Sequence, residues 1–399
     1  MPVAREYLWI WFWWTVVLLG SVAAINVLID PYGLFRVVDV PGLNRLKSQA
    51  SERGPLFKHA NVTRVQPKTL ILGNSRAEIG FDPDSLAWPD AARPVFNLAL
   101  PGAGVGAVAG DFARALRGTN PELAVVGLDF VDFRVDPKAG DSFRLAQGAG
   151  DRWRDLLDRS SAVLTLTAFA DSLATVRAQH EPLSTGLTDA GFNPKHDYTA
   201  IARREGYFAL FRQRDQENAL NYSRGPKSVF QRDGRASPGF DAVDSIIAQA
   251  RARGIALRFV IYPYHAHTLV LFHLAGLWPA YEDWKRELVR RVDAARETAD
   301  VELWDFTAFS PYADERIPSP GDTRSELAWY WEAGHFKKAL GDIVLARMFG
   351  AQGTLGSRLA ADMLETHLAD QAAARLAYET THREDVADLA TLVARAPGR

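Results

Sequence analysis

Ser75 closes a short apolar run, Thr69-Leu70-Ile71-Leu72, that stops at Gly73-Asn74. A serine hydroxyl becomes nucleophilic at neutral pH only beside a base, and an imidazole base needs a carboxylate to hold its tautomer. Far downstream, Glu332-Ala333-Gly334-His335 supplies both groups in four residues. The three side chains together point to acyl chemistry, with His335 taking the Ser75 proton and Glu332 orienting His335. Each also has a purely structural reading. Ser75 can cap the helix that follows it, Glu332 can be a first-turn carboxylate favoured by a helix dipole, and His335 a capping or surface group.

Other residues invite chemistry with less force. In Tyr262-Pro263-Tyr264-His265-Ala266-His267, two histidines at i and i+2 could ligate a metal, but no carboxylate or third histidine lies near them in sequence. The expectation is that His265 or His267 lines a cleft and contacts substrate, with no metal and no cofactor. Arg76, beside Ser75, could receive an anionic group such as a sugar carboxylate, or could be a solvated helix residue. The formal charge of −2 argues against nucleic acid as a partner, and the absence of cysteine removes disulfides, thiol catalysis and thiolate metal sites. A nucleotide-binding reading fails on spacing: Gly102-Ala103-Gly104-Val105-Gly106 is not the G-x-G-x-x-G pattern that cradles phosphate.

For these residues to meet, strand ends must carry them. Apolar runs that end in or at glycine predict strands at 70–72, 95–100 and 123–130, further strands are expected at 257–262 and 301–306, and helical periodicity is expected over 105–116, 240–253 and 335–349. Strands alternating with helices imply a parallel sheet covered on both faces, and loops at the carboxyl ends of such strands are where ligands bind. Ser75, Gly102, Asp129 and His265 all follow strands in this way. Between residues 134 and 237 the strand signal disappears: 153–180 reads as helical, and 186–221 as a polar, aromatic-dotted insertion able to shape a cleft. Residues 350–399 read as amphipathic helix, with Leu359, Met363, Leu364 and Leu368 on the apolar face.

At 399 residues, with 47% hydrophobic and 24% charged residues, the chain can bury a large core. Tyr7 to Ile29 carries no charge and would span about 33 Å as a helix, the thickness of a bilayer core. Trp9, Trp11, Trp13 and Trp14 crowd one end, as interfacial aromatics do. A cleaved leader is the alternative, with Ser21-Val22-Ala23-Ala24 as cleavage material, but the apolar stretch exceeds a usual signal core and favours a retained anchor. Flanking basic residues do not set its orientation. The expected order is a short tail (1–6), a transmembrane anchor (7–29), a lead-in (30–67), an α/β domain (68–350, with the insertion at about 134–237) and a helical extension (351–399). Asp30-Pro31-Tyr32-Gly33-Leu34-Phe35 reads as the turn that leads off the anchor, and Asn61-Val62-Thr63 is a formal glycosylation sequon.

In the order and placement of its blocks, the chain resembles the SGNH/GDSL hydrolase-like superfamily, in particular the membrane-anchored branch associated with O-acetylation of bacterial exopolysaccharides. Gly73-Asn74-Ser75 stands where that family has its nucleophile, Gly102 where it has an oxyanion-hole glycine, and Gly127-Leu128-Asp129-Phe130 where it has a third oxyanion donor. Glu332-Ala333-Gly334-His335 stands in place of its Asp-x-x-His pair. The resemblance implies a flavodoxin-like three-layer sandwich and a Ser75–His335–Glu332 triad. It further implies an oxyanion hole at Ser75 and Gly102, a periplasmic location, a polysaccharide or acyl-ester substrate, and a membrane partner that delivers acyl groups. Two departures stand out: Asp129 replaces the family's asparagine, and a carboxylate repels an oxyanion; Glu332 replaces the usual aspartate. Hydrolysis and acyl transfer share one acyl-enzyme, so both stay open. The other class is a membrane-anchored glycan-binding or assembly protein with the same fold and no activity.

Overall fold

The computed structural model describes residues 2–136, 157, 160–181, 183, 184 and 186–396. The chain forms two compact units, one of Met1–Arg64 with Gln147–His196 and one of Val65–Ala146 with Asp197–Arg399.

The first unit is built on the helix Pro2–Ile29, of which Arg5–Ile29 is long and apolar enough to cross a membrane. Its large side chains from Tyr7 to Leu19 are exposed. Asn26 is the polar exception near its end: it is fully buried, donates to the Val163 carbonyl at 2.9 Å and accepts from Ser172 Oγ at 2.9 Å. Those bonds tie the apolar helix to the helix Leu166–Arg177, through Ser172, and to the residues before it, through Val163, and they satisfy an amide that would otherwise be costly to bury. The chain then turns at Asp30, whose carboxylate accepts the backbone N–H groups of Leu34, Phe35 and Arg36 at 2.8, 3.0 and 2.8 Å. Asn61 of the sequon is buried and donates to the carbonyls of Gly33 and Phe57, which removes it as a glycan acceptor.

Residues 30–64 fall in the same compact unit as the apolar helix and residues 147–196. Of the stretch 153–180 expected as helical, the described residues are helical at 157, 160–164, Leu166–Arg177 and Ala178–His180, and 153–156, 158 and 159 lie outside the described residues.

The second unit is a mixed α/β body on a six-stranded, mostly parallel sheet. Its strands are β1 (Thr69–Leu72), β2 (Val95–Asn97), β3 (Leu123–Leu128), β4 (Ala256–Ile261) and β5 (Val301–Asp305). A separate hairpin pairs β6 (Tyr330–Glu332) with β7 (His335–Phe336), and β8 (Ser357–Arg358) joins the sheet edge antiparallel to β5. The order is β2-β1-β3-β4-β5-β8, with β1 to β5 parallel. Every residue of β1 is buried, as a central parallel strand requires. Gly73 ends it at φ +143°, a conformation open to glycine and strained for other residues.

Helices join these strands. Pro238–Arg253 shows how local sequence sets their ends: Ser237 accepts from the Gly239 N–H, Pro238 opens the first turn, and Gly254 closes it in the left-handed conformation. The core is aromatic around Trp284, Tyr281, Phe130, Phe133 and Phe272, and it encloses a buried Lys285–Asp305 ion pair at 2.7 Å.

The helix expected from His335 starts at Lys338, because His335 and Phe336 pair back onto β6 across the tight Ala333-Gly334 turn. The stretch 186–221, expected as a polar, aromatic-dotted insertion, holds the helix His196–Glu205 and most of the helix Tyr207–Arg224. Tyr207, Leu210, Phe211 and Tyr222 form the buried side of the latter. The carboxyl-terminal stretch is two helices, Ala361–Thr381 and Arg383–Arg395. Leu364 and Leu368 are buried there, whereas Met363 faces out at 40% exposure.

Candidate active site

Ser75 is the first residue of the short helix Ser75–Gly80, at the carboxyl end of β1. Asn74 before it caps that helix, its side chain accepting the Arg76 N–H at 3.0 Å. The cap role open to Ser75 on sequence is therefore taken by Asn74, which leaves the Ser75 hydroxyl free for another partner. That partner is His335, whose Nε2 lies 2.8 Å from Ser75 Oγ. His335 comes from β7, and its Nδ1 meets Glu332 Oε1 across the hairpin turn. The other Glu332 oxygen accepts the Gly334 N–H.

With Nδ1–H turned to a carboxylate, Nε2 is left to accept the serine proton. The hydroxyl, the imidazole and the carboxylate thus form one continuous hydrogen-bonded chain, and Glu332 is fully buried behind it. Burial pushes the Glu332 carboxyl up, but the His335 charge and hydrogen bond, Arg214 and the Gly334 N–H outweigh it and bring the pKa down to about 2. Burial pulls His335 down, Glu332 offsets part of that, and the charges of Arg76 and Arg214 leave it below the usual histidine value. At neutral pH the imidazole is neutral and the carboxylate ionised, the protonation states a general base and its orienting acid require.

Gly102 lies close by. Leu98 and Leu100 continue the β1–β2 ladder, their N–H groups donating to the carbonyls of Ile71 and Gly73 at 2.8 and 3.0 Å. The loop Leu100–Gly104 therefore runs beside the nucleophile turn, and Gly102 takes φ +71° with open space around its Cα.

Asp129 follows the carboxyl end of β3, caps the short 3-10 turn Phe130–Phe133 and acts only as an acceptor. Its Oδ2 accepts from Asn74 Nδ2 at 3.0 Å and from Arg76 Nη1, and its Oδ1 accepts the Tyr264 hydroxyl at 2.8 Å. Both oxygens are engaged with donors, so Asp129 is tied through Asn74 and Arg76 to the turn that carries Ser75. Arg76, the residue that could receive an anionic group, is ion-paired to Asp129 and lies over the Tyr264 ring at 5.3 Å, so it is not the solvated helix residue of the alternative reading.

His265 and His267 are both buried, and they line a polar cavity of about 450 Å³ with Asp314, Tyr378, His382 and Asp385; neither Ser75 nor His335 is among its walls. His265 caps the helix Ala266–Leu274 through Nδ1, and burial holds its pKa well below the usual histidine value. Burial also pulls on His267, but its 2.8 Å bond to Asp215 and the charge of that carboxylate raise it overall. No group of three or more metal-ligating side chains is present among the described residues.

Sequence reasoning missed Arg214, Asn74 as the cap, and Tyr264. Asn74 carried a signal, since asparagine before a helix start is a preferred cap. Arg214 carried none, because its helix lies far upstream of Glu332 and only the fold brings them together. No protein-family model matches the chain, and comparison with curated proteins finds no relative.

Proposed function

We propose that this protein carries out serine-dependent acyl-ester chemistry, passing an acyl group from an ester through Ser75 to water or to a sugar hydroxyl. The observation that carries it is the Ser75–His335–Glu332 chain at the carboxyl edge of a parallel sheet. Strand order supports the placement. The order β2-β1-β3-β4-β5 is that of flavodoxin-like doubly wound sheets, and it reverses at β1, the switch point outside which such folds bind ligands. Right-handed crossovers running in opposite directions from β1 would place the helices on both faces, the three-layer sandwich the resemblance implies.

In this mechanism His335 Nε2 takes the Ser75 proton as Oγ attacks the ester carbonyl. The backbone N–H groups of Ser75 and Gly102 receive the oxyanion. His335 then returns the proton to the leaving alcohol, and the acyl-enzyme forms. An acceptor hydroxyl, deprotonated by the same imidazole, attacks the acyl carbon and releases Ser75. Only two backbone donors serve the hole here, because Asp129 is an acceptor. Loss of one donor in such sites costs about 3–4 kcal/mol in the transition state.

The acceptor class rests on the resemblance and on the apolar helix Arg5–Ile29, which would anchor the enzyme at a membrane facing an extracytoplasmic glycan. An acyl-delivery partner in that membrane belongs to the same reading. Asp129 favours the second reading, an inactive glycan-binding or assembly protein of the same fold. Incubating full-length protein in detergent with p-nitrophenyl acetate separates the two. Turnover that Ser75→Ala and His335→Ala each abolish is expected; an inactive wild type, or turnover indifferent to both substitutions, refutes the enzyme.

A further inference from the structure

Glu332 is a buried carboxylate with three partners. Two come from its own hairpin, the Gly334 N–H on Oε2 and His335 Nδ1 on Oε1. The third is Arg214, whose Nε lies 3.1 Å from Oε1. That N–H is not aimed along the line to the oxygen, so the contact is charge pairing more than a directed hydrogen bond. Arg214 projects from the helix Tyr207–Arg224 and passes the hairpin turn where Gly334 has no side chain; its Cδ would lie 3.5 Å from a Cβ there. The guanidinium is fixed at its far end, with Nη1 donating to Glu217 Oε2 at 2.8 Å and a hydrogen bond to Tyr198.

We propose that Arg214 is a positioning residue for acyl transfer, holding Glu332 so that His335 keeps its proton on Nδ1 and presents Nε2 to Ser75. The proposal rests on the acyl-transfer reading of the triad. The hairpin already engages both Glu332 oxygens, one by the Gly334 N–H and one by His335 Nδ1; what Arg214 adds is a facing cation on the Oε1 side, which favours the orientation that keeps that oxygen on the imidazole. The cation acts a second time, through space. The charged groups facing His335 are Glu332 from its own hairpin, Arg76 from the helix Ser75–Gly80, and Arg214. The two guanidinium groups disfavour imidazolium and Glu332 favours it. Without Arg214, His335 binds its proton more readily and the base is lost at a higher pH.

The test uses full-length protein in detergent with Arg214→Gln and Arg214→Lys, and two readouts. The first is the pH dependence of kcat and KM on p-nitrophenyl acetate. The second is the titration of His335 followed by NMR of ¹⁵N-labelled histidine, its signal identified by loss in His335→Gln. Arg214→Gln is expected to lower kcat by about 10- to 100-fold with KM little changed, the scale of a misplaced catalytic group. It should also move both the acid limb and the His335 titration to higher pH. Arg214→Lys, which keeps the charge and loses the planar fork, should restore the titration more than the rate. A His335 titration and pH profile unmoved in Arg214→Gln overturn the proposal, even if the rate falls. Should wild type show no Ser75-dependent turnover, the acyl-transfer reading fails by itself, and the NMR titration still decides whether Arg214 governs the imidazole.

Discussion

Replacing Asp129 by asparagine tests whether this position is a vacant oxyanion site or a buried counter-ion. If the resemblance were taken at face value, asparagine would restore the missing donor and raise activity. The geometry says the opposite. Asp129 is 2% exposed and accepts from Asn74, Arg76 and Tyr264, so asparagine would turn an NH2 group toward donors and leave the Arg76 guanidinium buried without its anion. Removing one partner of a buried pair typically costs about 3–5 kcal/mol. For a domain of this size each kcal/mol moves the melting temperature by about 2 °C, so a fall of roughly 6–10 °C is expected. Thermal and urea unfolding of full-length protein in detergent, followed by far-UV circular dichroism, measures it. A companion variant, Asp129→Asn with Arg76→Met, removes the orphaned charge and should recover part of the loss, because deleting both partners of a buried pair is far less costly than deleting one. An Asp129→Asn protein as stable as wild type, or a double variant less stable than the single, refutes the counter-ion role.

Three further outcomes follow from the same geometry. Because His335 sits below the usual histidine value, kcat/KM should be level at neutral pH and decline on the acid side of about 6.5, the ordinary histidine value; a profile still rising above pH 7 would contradict a neutral imidazole. Glu332 has its pKa lowered from 4.5 to about 2, so its stabilisation is complete above pH 4.5 and disappears as pH falls toward 2. It amounts to about 3 kcal/mol at most, and the gap in melting temperature between wild type and Glu332→Gln should close across that window; a gap independent of pH argues against an ionised Glu332. Gly341 lies against the Gly80 carbonyl, where the helix Lys338–Met348 meets the helix that begins at Ser75, and an added Cβ would strike that oxygen. Gly341→Ala should therefore cost about 1–3 kcal/mol in urea unfolding, and an unchanged midpoint would show that the helices have room to part.

What was legible in the sequence is what local pattern encodes. β1 announces itself as an apolar run cut by a glycine, the strands near 95 and 123 end in glycine in the same way, and those near 257 and 301 alternate with helical stretches, so a parallel sheet with Ser75 at a strand end could be read directly. The Glu332–His335 spacing was also visible, but its local structure was not: the short hairpin β6–β7 has two- and three-residue strands, too brief for any periodicity to distinguish from a helix start. His265 and His267 line a cavity, as a position after a strand end suggests, but its walls hold neither Ser75 nor His335, and side-chain direction after a strand end depends on packing that sequence does not display. The partner of Arg76 was not legible either, since Asp129 follows a different strand.

The departures from the resemblance make physical sense as one arrangement. An asparagine after β3 could give its NH2 group to an oxyanion, but it would leave a buried arginine next to the nucleophile unneutralised. With Arg76 at that position the site requires a carboxylate, and the carboxylate then anchors Asn74 and through it the cap of the helix on which Ser75 sits. The turn that carries Ser75 is thus held by the Arg76–Asp129 ion pair, and Glu332 is faced by a second guanidinium, Arg214. Two cations flanking one imidazole keep His335 unprotonated at neutral pH without relying on burial alone, which is what the proposed mechanism would ask of it, accepting a proton from serine and handing it on within the same cycle.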